Sequence, residues 1–442
     1  MSDDRRFVPS LWLLALPIII QNLLAQAIGT ADTLMLSVVG QDQLSAVSLA
    51  NQMFFVLNLF FTGLTGSTAI MFSQYMGKND DQRVRRIFTF ASTISEGVCV
   101  VFSLIAITAP DTVMHLLTWD SVLIHEGSTY LRIVGISYLF MGISQIYLVL
   151  LKARQEARRS MMIGILTLLI NLALNAVFIF GLLGMPQLGT KGVAIATCMA
   201  RAIELLVCAS DMIIRKPVSV CLRVEKGLVQ DFVRICGPLT IQGFVWGGAM
   251  ACISSIMGHL GSDVVAAHAV ASVIQSVATV ASCGLAEAGS ILLGKELGAG
   301  EFEKARYHAG LLMKSSVIFG VIGCVLMLFA EGIVAETILL TQEARHYLGI
   351  MYKILAVNSI FVAVTYTTLC GVFPAGGDTR YGLILDGCVM WSLVVLGSIA
   401  AFGLKFHAVY VFIILSVDEL LKTPFVLIRY SKGTWIKNIT RE

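Results

Sequence analysis

Residues 11–39 read LWLLALPIIIQNLLAQAIGTADTLMLSVV, an apolar run that contains one proline, a few amides and a single acid. A helix needs about 20 apolar residues to cross the hydrocarbon of a bilayer, so this run is long enough to span a membrane. Its apolar residues are continuous and do not alternate with polar ones. A strand is therefore disfavoured, because only a helix satisfies its own backbone hydrogen bonds in lipid. The stretch predicts a first transmembrane helix.

The composition extends this prediction to the whole chain. Its 442 residues are 57% hydrophobic and 13% charged, with a mean hydropathy of +0.83. Soluble domains contain about 25% charged residues, so the composition excludes the soluble globular class. The net charge of +3 is too small to indicate a nucleic-acid partner.

Twelve apolar runs are long enough to span a membrane, and we predict an all-α integral membrane protein of twelve transmembrane helices in two pseudo-symmetric six-helix bundles. The predicted spans are Leu11–Val39, Ala46–Tyr75, Ile87–Ala109, Tyr130–Leu151, Met161–Leu183, Gly192–Ile214, Val233–Leu260, Val264–Leu293, Ala309–Ala330, Tyr347–Val372, Tyr381–Phe402 and His407–Ile428.

The basic residues of the connecting segments alternate between the two sides of the membrane. One side carries 23 Lys and Arg residues and the other carries three, which are Lys191, Arg345 and Lys405. By the positive-inside rule, both termini are predicted to be cytoplasmic. An incorrect number of spans would disrupt this alternation.

The two bundles follow from an internal repeat at an offset of 221 residues. Matching pairs include Pro17 with Pro238, Gln21 with Gln242, Gly40 with Gly261, Asp42 with Asp263, Gly63 with Gly284 and Gly77 with Gly298. Each half has six spans, so both enter the membrane in the same direction and are related by an axis along its normal. We predict domains at residues 1–222 and 223–442, with a substrate cavity between them.

Five stretches in this order resemble the multidrug and toxic compound extrusion (MATE) transporters, over about residues 9–430. They are Gly29-Thr-Ala-Asp32-Thr, Val39-Gly-Gln-Asp-Gln-Leu-Ser-Ala-Val-Ser-Leu-Ala50, Asn171-Leu-Ala-Leu-Asn175-Ala-Val-Phe-Ile-Phe-Gly181, Pro186-x-Leu-Gly-Thr-Lys-Gly192 and Ala375-Gly-Gly-Asp-Thr-Arg380.

The resemblance implies two six-helix bundles in a V shape and a secondary active antiporter of the bacterial inner membrane. Such a protein exports cationic or amphipathic small molecules in exchange for H⁺ or Na⁺, as a monomer surrounded by membrane lipid. The alternative is a lipid-linked oligosaccharide flippase of the related superfamily. The chain contains no P-loop, HExxH or Gly-x-Ser-x-Gly motif and no CxxC pair. We therefore expect no enzyme activity, no catalytic residues, no cofactor and no metal site.

Asp32 is the main candidate for binding the coupling ion. It lies in an apolar helix with no Lys or Arg within a turn or two. A carboxylate there costs several kcal/mol unless it is protonated, paired or bound to an ion. An acid that is neutral when protonated and holds a cation when charged suits an antiporter; the alternative is a structural carboxylate hydrogen-bonded to its neighbours.

Asn171 and Asn175 are four residues apart, so they share one face of the fifth span. The resemblance places both amides beside Asp32, with Thr197 of the sixth span as a further oxygen ligand. The alternative is that the two amides only bond across helices.

Other polar or aromatic residues are candidates for the substrate cavity or the hinge. For Gln21 and Gln242 the alternative is interhelical bonding, and Trp246 would stack on a flat cation or serve only in packing. Glu287 is the remaining cavity candidate. Pro17 would bend the first span, either as a static kink or, by the resemblance, as a hinge that responds to protonation.

The C-terminal half departs from one branch of the family, which carries acids at two positions that here read Trp246 and Ala363. The sequence therefore predicts no coupling site of that kind in this half. Four further charges, Asp386, Asp418, Glu419 and Lys422, are expected near helix ends, within reach of headgroups or water. Arg201 and Glu204 are three residues apart on one helix and are expected to pair.

The topology can be tested with reporter fusions placed after Arg86, Arg159, Arg234 and His308. All four should report a cytoplasmic location, because each follows a basic segment. A fusion after Lys191 or Lys405 is the matched control and should report the opposite side. Two extracytoplasmic signals from the first set would contradict the twelve-span topology.

Overall fold

The computed structural model describes residues 4–215, 225–337 and 341–441, and this part of the chain is helical without strands. The predicted domain boundary between residues 222 and 223 lies outside the described residues. Helices α1–α7 cover the first half of the chain and helices α8–α15 the second. Their bounds are Asp4–Val39, Gln41–Gly77, Asp81–Thr108, Pro110–Leu117, Ser121–Ala153, Ala157–Phe180, Gly189–Arg215, Lys226–His259, Ser262–Gly298, Phe302–Thr337, Gln342–Tyr366, Phe373–Ala375, Thr379–Ser398, Ala408–Ser416 and Asp418–Ser431.

Eleven helical segments in the described part of the chain are long and apolar enough to cross a membrane. They correspond to the first eleven predicted spans. In two of them an α-helix continues into a π-helical segment, at Thr367–Val372 after α11 and at Ile399–Gly403 after α13.

The twelfth predicted span, His407–Ile428, differs from the prediction because it is not one helix. It consists of α14 and α15, which are interrupted at Val417. The second helix begins with Asp418 and Glu419, and acids in the first turn stabilise a helix N-terminus through its dipole. A new helix start therefore falls in the middle of this apolar run.

The chain divides into two compact units. Unit 1 comprises Met1–Ile19, Ser73–Asn79 and Val233–Glu442, and unit 2 comprises Ile20–Phe72 and Asp80–Phe232. In unit 2, α5 packs against α3 and α7, and α6 packs against α7. In unit 1, α9, α10 and α11 pack against one another, and α15 packs against α11 and α13. Helix α1 contributes to both units, with the division directly after Ile19 and close to Pro17.

The ends of α2 and α9 approach each other closely within unit 1. A Cβ added at Gly77 would collide with the carbonyl oxygen of Lys295, and one added at Gly298 would collide with that of Gln74. Both Gly77 and Gln74 lie 221 residues before their counterparts Gly298 and Lys295. The two halves of the repeat therefore meet here through equivalent residues, and glycine is needed because backbone faces backbone.

Gly77→Ala should destabilise the protein by about 1–3 kcal/mol, because the opposing backbone must shift to admit a methyl group. Gly97→Ala is the matched control, since a Cβ at Gly97 in α3 meets no atom within 4 Å. Thermal unfolding of the purified protein in detergent measures the difference. A Gly77→Ala midpoint equal to that of Gly97→Ala would contradict the close crossing.

Candidate ion-coupling site

The candidate ion-coupling residues come from three helices of unit 2. Asp32 lies on α1, Asn171 and Asn175 lie one turn apart on α6, and Thr197 lies on α7. Because α6 packs against α7, the amides of α6 can reach the Thr197 hydroxyl. The structure brings all four residues together, while their role in binding an ion stays a prediction.

A chain of hydrogen bonds links the four side chains. Asn175 Nδ2 donates to Asp32 Oδ1 at 2.9 Å and lies 3.4 Å from Asn171 Oδ1. Asn171 Nδ2 lies 3.5 Å from Thr197 Oγ1, and the Thr197 hydroxyl donates to the carbonyl of Val193 at 3.0 Å. The carboxylate of α1 is thus connected through two amides to the backbone of α7.

Asn175 is the most buried of these four hydrogen-bonded residues, with 1% of its surface exposed. Its Oδ1 has no hydrogen-bond partner among the described residues. Asp32 is half-buried, and in the described structure its side chain pairs with the Asn175 amide and with no Lys or Arg. Within the described structure, the site therefore offers a carboxylate without a fixed counter-charge and a buried acceptor beside it.

Tyr130 is a neighbour of this site that the sequence analysis missed. It lies on α5, is buried, and is within electrostatic range of Asp32. Its hydroxyl donates to Asn51 Oδ1 on α2 at 3.1 Å. A tyrosine at the start of an apolar run resembles an interfacial anchor in the sequence, so only the packing of α5 reveals this neighbour.

A separate cleft of about 540 Å³ opens in unit 2 around the ends of α1, α6 and α7. Its lining includes Val39, Phe180 and Glu126, and the Thr190 hydroxyl donates to Glu126 there at 2.6 Å. Asp32 and the two asparagines are not among the lining residues.

The four cavity candidates have different surroundings. Gln21 packs against Gly164 of α6, whereas Gln242 is 9% exposed and donates to Asp386 at 2.6 Å. The Trp246 side chain is 46% exposed. Glu287 is half-buried and within electrostatic range of Cys283 and Tyr366. Their role in binding substrate stays a prediction.

Pro17 is buried inside α1, which continues from Asp4 to Val39 without interruption. A hinge at this position stays a prediction. On α7, Arg201 Nη1 lies 2.8 Å from Glu204 Oε2, so the expected pairing of these two residues is confirmed.

For Lys422 and Asp386 the expectation of reaching headgroups or water is wrong, whereas Asp418 and Glu419 lie at a helix end as expected, in the first turn of α15. Lys422 has 1% of its surface exposed and contacts Asp386, Asp418 and Glu419, so the ammonium does not reach headgroups or water. The spacing of 418, 419 and 422 indicated a local pairing on one helix. It gave no sign that Asp386, on another helix, would complete a buried cluster.

Comparison with protein families supports both the repeat and the resemblance. The model of the family described as MatE matches residues 17–177 and again residues 238–399. The two matches begin 221 residues apart, which is the offset of the internal repeat.

Curated relatives span nearly the same length as this chain. An uncharacterised transporter of Bacillus subtilis, YisQ, is 22% identical over 98% of this chain and 96% of its own length. The probable multidrug resistance protein NorM of Rhizobium meliloti is 27% identical over 89% and 86%, respectively.

Solved structures are similar in fold at lower identity. An outward-facing multidrug resistance MATE transporter has a TM-score of 0.86 at 19% identity, covering 96% of both chains. A crystal structure of a MATE protein in the bent conformation has a TM-score of 0.85 at 19% identity, covering 96% of this chain and 95% of the other.

A double-mutant cycle tests the contact between Asp32 and Asn175. A hydrogen bond to a charged group contributes about 1.5–3 kcal/mol, so Asp32→Ala and Asn175→Ala should be strongly non-additive in thermal unfolding. Asn171→Ala is the matched control, because Asn171 reaches Asp32 only through Asn175. Equal coupling of both asparagines to Asp32 would contradict the order of the hydrogen bonds, in which Asn175 lies between Asp32 and Asn171.

Proposed function

Since this chain belongs to the MatE family of membrane transporters, we propose that it is a secondary antiporter that exports cationic or amphipathic small molecules in exchange for H⁺ or Na⁺. The observation that carries the proposal is a half-buried carboxylate, Asp32, whose described side-chain partner is a neutral amide. A family match in both halves of the chain supports the transporter class.

The relatives support an export role and a membrane location. Proteins called multidrug resistance protein match most of this chain, and they come from bacteria, in which a multi-pass helical protein lies in the inner membrane. We propose that both termini face the cytoplasm, in line with the distribution of Lys and Arg, and that the protein works as a monomer.

In the loaded state, we propose, Asp32 is charged and holds a cation. The Asn175 amide donates to one carboxylate oxygen, which leaves the other oxygen to face a substrate cation or Na⁺. The oxygens of Asn171, Asn175 and Thr197 supply hard, neutral ligands of the kind that Na⁺ accepts. The Asp32 carboxylate therefore binds an organic cation and an alkali ion in turn.

Protonation reverses the polarity of this contact. A protonated Asp32 is neutral and becomes a hydrogen-bond donor, so it no longer attracts a cation. The Oδ1 of Asn175, which has no partner in the described part of the chain, can accept that hydrogen when the amide rotates. Rotation moves Nδ2 away from Asn171 Oδ1, so the hydrogen bonding of Asn171, one turn away on α6, changes as well. Pro17, close to the division between the two units, supports a bend of α1 as the response.

Asp32→Asn should abolish gradient-driven export, because the asparagine is neutral at every pH and cannot exchange an ion for a cationic substrate. The volume of the side chain hardly changes, so the variant should fold and reach the membrane normally. Proteoliposomes with an imposed H⁺ or Na⁺ gradient and a fluorescent organic cation measure export.

Asp42→Asn is the matched control for this experiment. Asp42 is an exposed acid in the first turn of α2, outside the site, and its amide variant should export at the wild-type rate. Full export by a well-expressed Asp32→Asn protein would contradict the mechanism. Loss of export in both variants would show that the assay reports protein integrity instead of coupling.

A further inference from the structure

Lys422 on α15 forms the centre of a buried group of charges in unit 1. Its ammonium lies 3.0 Å from Asp386 Oδ1, 3.1 Å from Asp418 Oδ2 and 2.8 Å from Glu419 Oε1. An ammonium has three hydrogens, so each can be directed at a different carboxylate. We call these four residues the Lys422 cluster.

The charges of the Lys422 cluster do not balance when every group is ionised. Three carboxylates surround one ammonium, which leaves two uncompensated negative charges. Lys422 and Asp386 are buried, and Asp418 and Glu419 are mostly buried. Unpaired charge in such surroundings is costly, and a carboxyl group relieves the cost by taking up a proton. Retention of at least one proton is therefore favoured.

The hydrogen-bond partners indicate which carboxyl group takes the proton. Asp386 Oδ2 receives a hydrogen from the Gln242 amide, which favours its ionised form. Glu419 Oε2 instead contacts the Thr365 hydroxyl on α11.

That hydroxyl has one hydrogen but three oxygen neighbours. Besides Glu419 Oε2, Thr365 Oγ1 lies 2.8 Å from the carbonyl of Phe361 and 3.3 Å from that of Val362. When its hydrogen points to the Phe361 carbonyl, the contact with Glu419 needs a hydrogen on the carboxyl group. In that orientation Thr365 Oγ1 can accept a proton carried by Glu419 Oε2, whereas the Asp418 carboxylate contacts only Lys422 among the described residues.

From this geometry we propose that the Lys422 cluster is a second proton-binding centre, in which Glu419 takes up and releases a proton during transport. The role in transport rests on the proposed function, whereas the proton itself does not. A proton fits better than Na⁺ because the Lys422 ammonium already occupies the place between the carboxylates.

Uptake of a proton at Glu419 Oε2 would weaken the ion pair with Lys422 and leave the ammonium to Asp386 and Asp418. The cluster and its hydrogen-bond partners lie on α8, α11, α13 and α15, so protonation acts on four helices at once.

Other titratable groups face the cluster from a neighbouring segment. The Cys370 thiol, in the π-helical segment after α11, is within electrostatic range of Asp386, Glu419 and Lys422. Cys283 and Tyr366 lie within electrostatic range of Cys370 and also of Glu287 on α9. These groups contribute to the pH at which Glu419 titrates, so a variant of Glu419 itself is needed to identify it.

Infrared spectroscopy of the lipid-reconstituted protein tests the proposal directly, because a protonated carboxyl group has its own C=O stretch. In an Asp32→Asn background at neutral pH, we expect a protonated-carboxyl signal that Glu419→Gln removes. Glu343→Gln is the matched control, an exposed acid in the first turn of α11, and should leave the signal intact. A signal of unchanged intensity in Glu419→Gln would overturn the proposal.

Thr365→Val is a second variant that keeps every charge of the cluster. Loss of the hydroxyl should move the frequency of the Glu419 signal, and an unchanged frequency would contradict the hydrogen bond.

In the protein that retains Asp32, Glu419→Gln should lower the number of protons exchanged per substrate by one while export continues. An unchanged number would overturn the transport role, even if the infrared signal of Glu419 is present. If wild-type protein shows the signal but no exchange, the proposed function fails and the proton site stands.

Discussion

A carboxylate in an apolar helix must have a partner, and the partner found at Asp32 is a neutral amide at 2.9 Å. An arginine or lysine in that place would fix the charge permanently, whereas an amide can donate to the charged acid or accept from the neutral one. The choice of partner therefore leaves the charge of Asp32 free to change. The surrounding helices α5, α6 and α7 place Tyr130, Asn171 and Thr197 around this changeable group.

The two halves of the chain share the 221-residue repeat, but their buried acids have different partners. In the first half Asp32, the proposed coupling residue, has no counter-ion among the described residues, and in the second half three acids contact one lysine. The glutamine pair of the repeat shows the same divergence. Gln21 packs against Gly164, while Gln242 donates to the acid of the Lys422 cluster on α13. The duplicated helices thus provide equivalent positions that carry different chemistry.

Much of this structure follows from local sequence. Apolar runs predict eleven of the spans, and the four-residue spacing of Asn171 and Asn175 places them on one face of α6. The interruption of the last span was missed because length and hydropathy ignore the two acids after Val417. The burial of Lys422 was missed because it depends on Asp386, a residue from another helix. Contacts between distant helices leave no periodic signal in a single sequence.

The competition between ion and substrate for Asp32 can be measured most directly as binding to the purified wild-type protein. The affinity for a fluorescent organic cation is determined in detergent while pH and Na⁺ concentration are varied separately. If one carboxylate serves both, the affinity should fall as H⁺ or Na⁺ rises, and Asp32→Asn should bind with an affinity insensitive to that ion. An affinity of the wild-type protein that is independent of both pH and Na⁺ would contradict exchange at Asp32.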